Sequence, residues 1–215
     1  MAENRATHAT ELYTQRLVLT LMNLNKDVPF RTRLMNDYME HEGDSSKTWD
    51  EAKTKDYLEG VIANYWKATP AGPGPATYII RLGSEDREPI GYISYFRRNS
   101  DVPGEIGYGL LREHYGRGYA TEAGKEALRH WKEDVGIKEI FAAASLDNLA
   151  SIRVLEKLGF VPGGYVMVNG WEPSEKVRFS VMVLSGMELL KGQYIYLGYK
   201  VTESEGSEAE NDKRV

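Results

Sequence analysis

Two spacings of hydrophobic residues alternate along the chain, and they predict strands and helices in a mixed order. Short apolar runs bounded by Gly, Pro, Asp or Ser predict strands over residues 16–20, 76–81, 89–97, 104–111, 139–145, 160–168 and 177–184. Apolar residues three or four positions apart predict helices over residues 30–39, 49–67, 118–135 and 149–158. The order β-α-α-β-β-β-α-β-α-β-β indicates an α/β protein with a mixed (α+β) sheet whose first half is antiparallel.

The helix predicted over residues 118–135 has the clearest hydrophobic pattern. Its apolar residues fall on one face, at Ala120, Ala123, Ala127, Leu128, Trp131 and Val135. Gly159 follows the helix predicted over residues 149–158 and is a typical helix C-cap. Residues 69–75 are rich in Pro and Gly and therefore predict a loop.

Both ends of the chain are polar and offer little to bury. Residues 1–12 have no hydrophobic period, and residues 201–215 are rich in Glu, Ser, Gly and Asn. We therefore predict disordered tails on either side of a single domain over residues 13–200. Residues 186–200 are more apolar, and both an edge strand and a homodimer interface remain open for them.

The composition narrows the class of protein. The chain has 215 residues, a formal net charge of −5 and no cysteine, which excludes disulfides, thiolate zinc sites and a cysteine nucleophile. There is no apolar run of about 18 residues to span a membrane, and the N-terminus lacks the apolar core of a signal peptide. We therefore expect a soluble, cytoplasmic protein. The acidic balance argues against nucleic-acid binding.

The segment from Glu105 to Ala123 carries the strongest indication of chemistry. A predicted strand runs into the turn Gly116-Arg117-Gly118, which opens directly onto an amphipathic helix. Glycines let the backbone approach a ligand closely, and the first amides of a helix attract anions, so the segment predicts a diphosphate site. A P-loop would need Gly-Lys-Ser/Thr, and the dinucleotide motif would need a third glycine where Thr121 stands, so neither motif fits.

The turn resembles the acyl-CoA signature of the GNAT acetyltransferases, Gln/Arg-X-X-Gly-X-Gly/Ala, because the chain has Tyr115-Gly-Arg-Gly118-Tyr-Ala120 there. A second block, from Asn148 through Ser151 to Gly159-Phe160, is similar to the family's Asn-X-X-Ser/Ala segment and its Glu-Lys-X-Gly-Phe end. Gly91-Tyr-Ile resembles a strand motif of the same family. The resemblance spans about residues 14–184 and is closest to the branch of ribosomal-protein N-terminal (alanine/serine) acetyltransferases.

The resemblance implies the GNAT acyl-CoA N-acyltransferase fold, with a splay between the fourth and fifth predicted strands. It also implies acetyl-CoA as the acyl donor and CoA as the product. In this family the pantetheine arm pairs with the strand before the turn, so Leu110 and Leu111 would offer it backbone groups, and Asn148 and Ser151 would lie near it. The residues that would contact the diphosphate are Tyr115, Gly116, Arg117, Gly118, Tyr119, Ala120 and Thr121.

Acetyl transfer to an amine needs a base, because an amine with a pKa of roughly 8–10 is mostly protonated at neutral pH. Glu105 is the candidate base, acting through water, and the N–H near Leu110 is the candidate donor to the developing negative charge. Leu155 stands where many members carry a tyrosine acid, so Ser151 is the candidate replacement. The acceptor would be a primary amine, on a protein N-terminus or a small molecule, attacking directly in a ternary complex.

Plainer roles stay open for these residues. Gly116 and Gly118 would also suit a simple tight turn, Glu105 a solvated strand position, Ser151 an ordinary helix position and Asn148 a helix cap. Glu122 fits a charge partner of the helix start better than a catalyst. The four histidines lack metal-ligand spacing, so no metal site is predicted. A different class of protein also remains open: a catalytically weak or inactive acyl-CoA-binding regulator of the same fold.

Overall fold

The described part of the chain forms one eight-stranded sheet with helices on both faces. The computed structural model describes residues 8–41, 48–69, 73–83, 87–98, 102–169 and 176–187. The strands are β1 Glu11–Tyr13, β2 Leu17–Leu21, β3 Ala76–Leu82, β4 Pro89–Phe96, β5 Gly104–Leu110, β6 Ile140–Ser145, β7 Phe160–Asn169 and β8 Lys176–Leu184. The helices are α1 Leu24–His41, α2 Glu51–Lys67, α3 Tyr119–Arg129 and α4 Leu149–Lys157.

The strand order of the sheet is β1-β2-β3-β4-β5-β6-β8-β7, and every neighbouring pair is antiparallel except β5 with β6. These two parallel strands pair only at Gly104 with Ile140 and at Glu105 with Phe141. Beyond these residues the strands are no longer paired with each other, although β5 continues to Leu110 and β6 to Ser145. The mixed sheet and the splay between the fourth and fifth predicted strands are thereby confirmed.

The main core lies between the sheet and the layer formed by α3 and α4. Side chains from β2 to β6 meet the apolar stripe of α3 there, and Trp131, just after that helix, is fully buried. Leu155 of α4 is buried in the same core. Burying a large apolar side chain stabilises a fold by roughly 1.5–3 kcal/mol, so this stripe fixes α3, and the turn that precedes it, against the sheet.

A smaller core lies on the opposite face of the sheet. Phe30 and Leu34 of α1 pack against Ile79 and Leu111. On the same face, Tyr65 of α2 stacks on Phe96 of β4, with 4.5 Å between the ring centroids. The helices α1 and α2 therefore cover β3, β4 and β5 on the side away from α3.

The N-terminal tail is shorter than predicted. Residues 8–12 belong to the predicted tail, yet β1 begins at Glu11, pairs with β2 and buries Leu12. The amide of Ala9 donates to His130 Nε2 (3.2 Å). Such long-range partners order a segment whose own polar composition does not predict order. Residues 1–7 of the predicted tail lie outside the described residues.

Two helices differ from their predicted bounds. The helix α1 begins at Leu24 rather than at residue 30, because Asn23 accepts from the Asn25 amide and Asp27 accepts from the Asn23 amide, which caps the helix earlier. The helix predicted over residues 118–135 is α-helical only to Arg129, and residues 130–134 form a π-helical turn. Hydrophobic spacing does not distinguish such a turn from a regular helix end.

The C-terminal predictions fall mostly beyond the described part of the chain. Residues 188–215 lie outside it, and they include the tail predicted over residues 201–215 and nearly all of the 186–200 segment. Among the helices that the structure describes, none combines the length and the hydropathy needed to cross a bilayer.

Candidate functional site

The backbone of β5 presents free groups to the splay. The Leu111 amide donates to the Ile90 carbonyl (2.8 Å), which makes these two residues a hydrogen-bonded pair of the β4–β5 ladder. Such pairs alternate along an antiparallel ladder, so the backbone groups of Tyr108 and Leu110 point away from β4, toward β6. Because β6 no longer pairs with β5 at this level, these groups face the open splay. An extended ligand can pair with them as an added strand would.

Leu111 does not share this arrangement, because its backbone groups already have protein partners, and its predicted role toward pantetheine stays a prediction. Its amide is bound to the Ile90 carbonyl, and its own carbonyl accepts from the His114 amide (2.9 Å). Its side chain is buried against α1. The reason is the alternation of the ladder, which turns each successive residue of β5 to the opposite edge of the strand and leaves the splay to Leu110.

The turn before α3 presents a set of free amides. Gly116 and Gly118 have φ angles of 72° and 79°, in the left-handed region where a side chain costs roughly 1–2 kcal/mol. The Glu122 amide donates to the Gly118 carbonyl and closes the first turn of the helix. Within the described residues, the amides of residues 116–121 donate to no protein acceptor. Free amides gathered at a helix start form an anion site.

Thr14 and Arg16 hold this helix start in place through Glu122. The Glu122 carboxylate accepts from the Thr14 hydroxyl (2.6 Å) and from the amide and Nε of Arg16 (2.9 and 2.6 Å). Burial opposes the negative charge, but these hydrogen bonds outweigh it and lower the pKa of Glu122. Glu122 as a charge partner of the helix start is confirmed. Sequence analysis missed Arg16 because it is 106 positions away from its partner.

Basic side chains lie beside the free amides. A surface pocket of about 380 Å³ adjoins the start of α3, and it is lined by Gln15, Gly118, Thr121, Glu122, Lys125 and Lys157. The two lysines come from α3 and α4, so only the packing of the helices brings them together. Arg117 is exposed at the turn. Tyr115 is also exposed, but its amide already donates to the Arg112 carbonyl (3.0 Å), which leaves only its side chain for a ligand.

Ser151 and Asn148 lie together at the start of α4. Asn148 Oδ1 accepts from the Ser151 amide (2.9 Å), so the helix-cap role of Asn148 is confirmed. The Ser151 hydroxyl donates to the Tyr108 hydroxyl, which in turn donates to the Ser151 carbonyl, both at 2.9 Å. This contact joins α4 to the half of β5 that borders the splay.

Tyr108 is a site residue that sequence analysis did not assign. Burial raises the pKa of Tyr108 to about 12, so its hydroxyl is protonated at neutral pH. Strand alternation predicts that its side chain shares a face with Ile106 and Leu110, but only the structure brings it to Ser151. Leu155, at the position of the family's usual tyrosine, is buried in the core.

Glu105 is buried on the opposite face of β5. Its side chain is 6% exposed, and its two oxygens accept from Nε and Nη2 of Arg98 (2.6 and 3.2 Å). The alternative of a solvated strand position is therefore wrong. The ion pair occupies one acceptor site on each oxygen, and a carboxylate offers about four, so Glu105 can still accept from water. This remaining acceptor capacity is what a base that acts through a water molecule would use.

A partly exposed strip of β4 and β5 lies beneath α1 and α2, next to Glu105. This α1/α2 groove consists of Tyr92, Gly107 and Gly109, with Ser94 opposite Gly107. A Cβ at Gly109 would approach the Tyr92 ring to 2.9 Å, so a larger residue would fill the strip. Gly107 and Gly109 are partly exposed on the side away from α3, where the rings of Phe96 and Tyr92 lie close to them.

A group of metal-capable side chains lies outside these elements. Glu88, Glu113 and His114 bring ligand atoms within 4.8 Å of one another. Sequence spacing does not reveal the group, because Glu88 precedes β4 and the other two follow β5. Glu113 already pairs with Arg33 (2.7 Å), and we assign the group no role.

The sequence matches one family over most of this region. A family model described as an acetyltransferase (GNAT) domain covers residues 16–161, more than half of the chain. The probable N-acetyltransferase YjcK of Bacillus subtilis (strain 168) is 38% identical over 100 residues, 43% of this chain and 55% of its own length. The uncharacterized N-acetyltransferase p20 of Bacillus licheniformis is 31% identical over 90 residues, 42% of this chain and 48% of its own. The chain thus spans about half the length of these curated relatives.

Solved structures share the fold. The structure of RimL, a ribosomal L7/L12 alpha-N-protein acetyltransferase, in complex with coenzyme A has a TM-score of 0.61 at 17% identity, over 79% of this chain and 94% of its own. A spermidine N-acetyltransferase SpeG chimera from Vibrio cholerae and hSSAT has a TM-score of 0.58 at 18% identity, over 78% of this chain and 94% of its own. At such identities the likeness establishes the fold and not the acceptor.

Proposed function

The chain belongs to the GNAT acetyltransferase family, and we propose that it is an acetyl-CoA-dependent N-acetyltransferase. It would transfer an acetyl group to a primary amine, on a protein N-terminus or a small molecule, by direct attack in a ternary complex. The family membership and the named N-acetyltransferases among its relatives support the reaction class. The site geometry supports the individual roles given below.

One observation carries the proposal: two sets of free backbone groups lie next to each other. Tyr108 and Leu110 face the splay, and the amides of residues 116–121 gather at the start of α3. Only residues 111–115 separate the two sets in the chain. An elongated ligand with a diphosphate at one end and an extended amide-bearing arm would therefore engage both sets. CoA is such a ligand.

The residues present suit acetyl-CoA, which when bound supplies a thioester that an amine can attack. The amides of residues 116–121 would hold the diphosphate, and Arg117, Lys125 and Lys157 would neutralise phosphate charge. The backbone groups of Tyr108 and Leu110 would pair with the pantetheine arm. Asn148, exposed at the start of α4, would contact the arm from the other side of the splay.

Glu105 and Leu110 would serve the attacking amine and the developing charge. They are five positions apart along an extended strand, roughly 16 Å, so an amine attacking near Leu110 is out of direct reach of the Glu105 carboxylate. Glu105 would therefore accept the amine proton through water molecules on the partly exposed side of Gly107 and Gly109. The Leu110 N–H faces the splay and would donate to the developing negative charge, a contribution of about 3–4 kcal/mol in comparable sites.

Ser151 and Tyr108 would act as hydrogen-bond donors near the leaving sulfur. Neither hydroxyl ionises readily at neutral pH, and burial makes Tyr108 a weaker acid still. The two hydroxyls already bind each other across the splay, so a small rotation turns one of them toward the sulfur. This arrangement needs no tyrosine at Leu155, because a thiolate leaving group requires only stabilisation.

The test is release of free thiol from acetyl-CoA in the presence of an amine panel containing amino acids, N-terminal peptides, polyamines and amino sugars. We expect release that depends on both the protein and the amine. Binding of acetyl-CoA without release on any amine would favour the acyl-CoA-binding regulator. Absence of acetyl-CoA binding would contradict the proposal altogether.

A further inference from the structure

One buried charge beside the α1/α2 groove has no hydrogen-bonding partner in the part of the chain that the structure describes. Among the described residues, three side chains that carry a full charge at neutral pH are buried: Asp27, Glu105 and Arg31. Asp27 pairs with Arg81 (2.5 Å) and Glu105 pairs with Arg98 (2.6 Å). Arg31 is 8% exposed, and its Nε and Nη1 atoms are shut off from solvent and have no hydrogen-bond acceptor among the described residues. Its guanidinium lies over the face of the Tyr92 ring, with 3.9 Å from the guanidinium carbon to the ring centroid.

Such an arrangement is costly for the protein alone. A buried guanidinium cannot lose its proton, and a desolvated charge without an acceptor is strongly unfavourable. The cation–π contact with Tyr92 offsets part of this cost, typically by about 30-fold when the cation is desolvated. A carboxylate is the group whose geometry matches a guanidinium fork. The missing partner therefore has the chemistry of a carboxylate that is not part of the described chain.

The position of Arg31 connects it to the acyl-transfer site. The Arg31 guanidinium lies on the ring of Tyr92. Tyr92 is the direct cross-strand neighbour of Gly109, with roughly 5.5 Å between Cα atoms in such a pair. Gly109 immediately precedes Leu110, the residue whose N–H faces the splay. Tyr92 and Gly109 are partly exposed in the α1/α2 groove, on the face opposite the start of α4. A group bound at Arg31 would thus lie on the face of the sheet where Gly109, the residue before Leu110, is partly exposed.

We propose that Arg31 binds a carboxylate of the amine acceptor, so that the preferred acceptors are amines carrying a nearby carboxylate, such as free amino acids or short peptides with a free C-terminus. This inference rests on the proposed acetyltransferase function. A carboxylate bound there would supply the acceptor that Nε and Nη1 of Arg31 lack among the described residues. The same charge disfavours polyamines, because a second ammonium group would approach an uncompensated cation.

The first experiment compares matched acceptors. Thiol release from acetyl-CoA is measured with amino acids and their carboxamides, and with dipeptides that have free or amidated C-termini. The variants are Arg31→Met, which keeps length and ring contact, and Arg33→Met, a control two residues away whose side chain is 53% exposed. For each protein, kcat/KM with the free carboxylate form of an acceptor is divided by kcat/KM with its carboxamide. The two acceptors differ in the basicity of their amine, but this difference is the same for wild type and both variants, so it cancels when the ratios are compared.

We expect wild type and Arg33→Met to prefer the carboxylate by about 10–100-fold, and Arg31→Met to lose that preference through KM. Turnover without the preference, or a preference that Arg31→Met retains, would overturn the inference and leave the proposed function standing. Absence of turnover with every amine would overturn the proposed function and the inference with it.

The second experiment separates a ligand role from a structural one without measuring activity. If Arg31 awaits a partner, Arg31→Met should leave the Tm unchanged or raise it by a few degrees, because it removes an unpaired buried charge. A Tm more than about 5 °C below that of Arg33→Met would mean that Arg31 stabilises the fold, which would overturn the inference.

Discussion

Replacing Gly118 tests whether the start of α3 binds a diphosphate. Gly118→Asp places a negative charge beside the free amides, and Gly118→Asn adds a side chain of the same shape without the charge. Both residue types tolerate the φ of 79° better than other side chains do, at about 1 kcal/mol each. The nearest atom to a Cβ at this position is Arg16 Nη2 at 3.5 Å, an ordinary contact, so neither variant should disrupt the fold.

The charge effect can be worked out from the position. At about 6 Å, two unit charges interact by roughly 0.7–2.8 kcal/mol for effective dielectric constants between 80 and 20. A diphosphate doubles this energy, while solvent exposure of the turn and salt move it toward the lower end. We therefore expect Gly118→Asp to bind CoA about 10–100-fold more weakly than Gly118→Asn, a difference that shrinks at high ionic strength.

Isothermal titration of CoA into wild type and both variants measures the effect, with thermal unfolding as a check that all three are folded. The Asn variant reports the cost of the side chain, and the difference between Asp and Asn reports the charge alone. Equal CoA affinity of the two variants at low salt would refute the assignment of the diphosphate to this helix start.

Three further predictions follow from the site. Glu105→Gln should lower kcat by about 100-fold or more while CoA affinity changes less than twofold, and a kcat equal to wild type across pH 6–9 would remove Glu105 from the mechanism. Tyr108→Phe and Ser151→Ala should each lower kcat by about tenfold, with no further loss in the double variant, whereas additive losses would mean that the two hydroxyls act separately. Because the pKa of Glu122 is lowered, its ionised form stabilises the fold above the usual value of 4.5, and this contribution is lost as pH falls through the lowered pKa. Glu122→Gln should therefore reduce the Tm at pH 7 and show a smaller further loss between pH 5 and pH 3 than wild type does.

Much of the fold could be predicted from hydrophobic spacing. Helix period placed α3 with its buried face, and short apolar runs placed the antiparallel strands β3, β4 and β5. The hydrophobic pattern did not predict the first strand or the first residues of α1. The strand β1 is ordered by pairing with β2 and by the contact of Ala9 with His130, and α1 is extended by a cap that precedes its apolar residues.

The candidate site also has a part that the sequence predicts and a part that only the structure shows. Turn chemistry and motif resemblance located Gly116, Gly118 and Asn148, because each role depends on residues close together in sequence. The ion pairs and hydroxyl pair that complete the site join distant segments: Arg16 with Glu122, and Tyr108 with Ser151. Even the choice between Leu110 and Leu111 required the hydrogen-bond register of the sheet, because neighbouring residues of a strand point their backbone groups in opposite directions.

The central claim is that CoA binds along β5 and across the start of α3, and amide-resolved NMR of the 24.3 kDa protein tests it most directly. On addition of CoA, the account predicts the largest shifts at the amides of Tyr108, Leu110 and residues 116–121, with little change at Leu111 beyond that of its neighbours. Saturable binding that leaves these amides unshifted and perturbs another surface would contradict it.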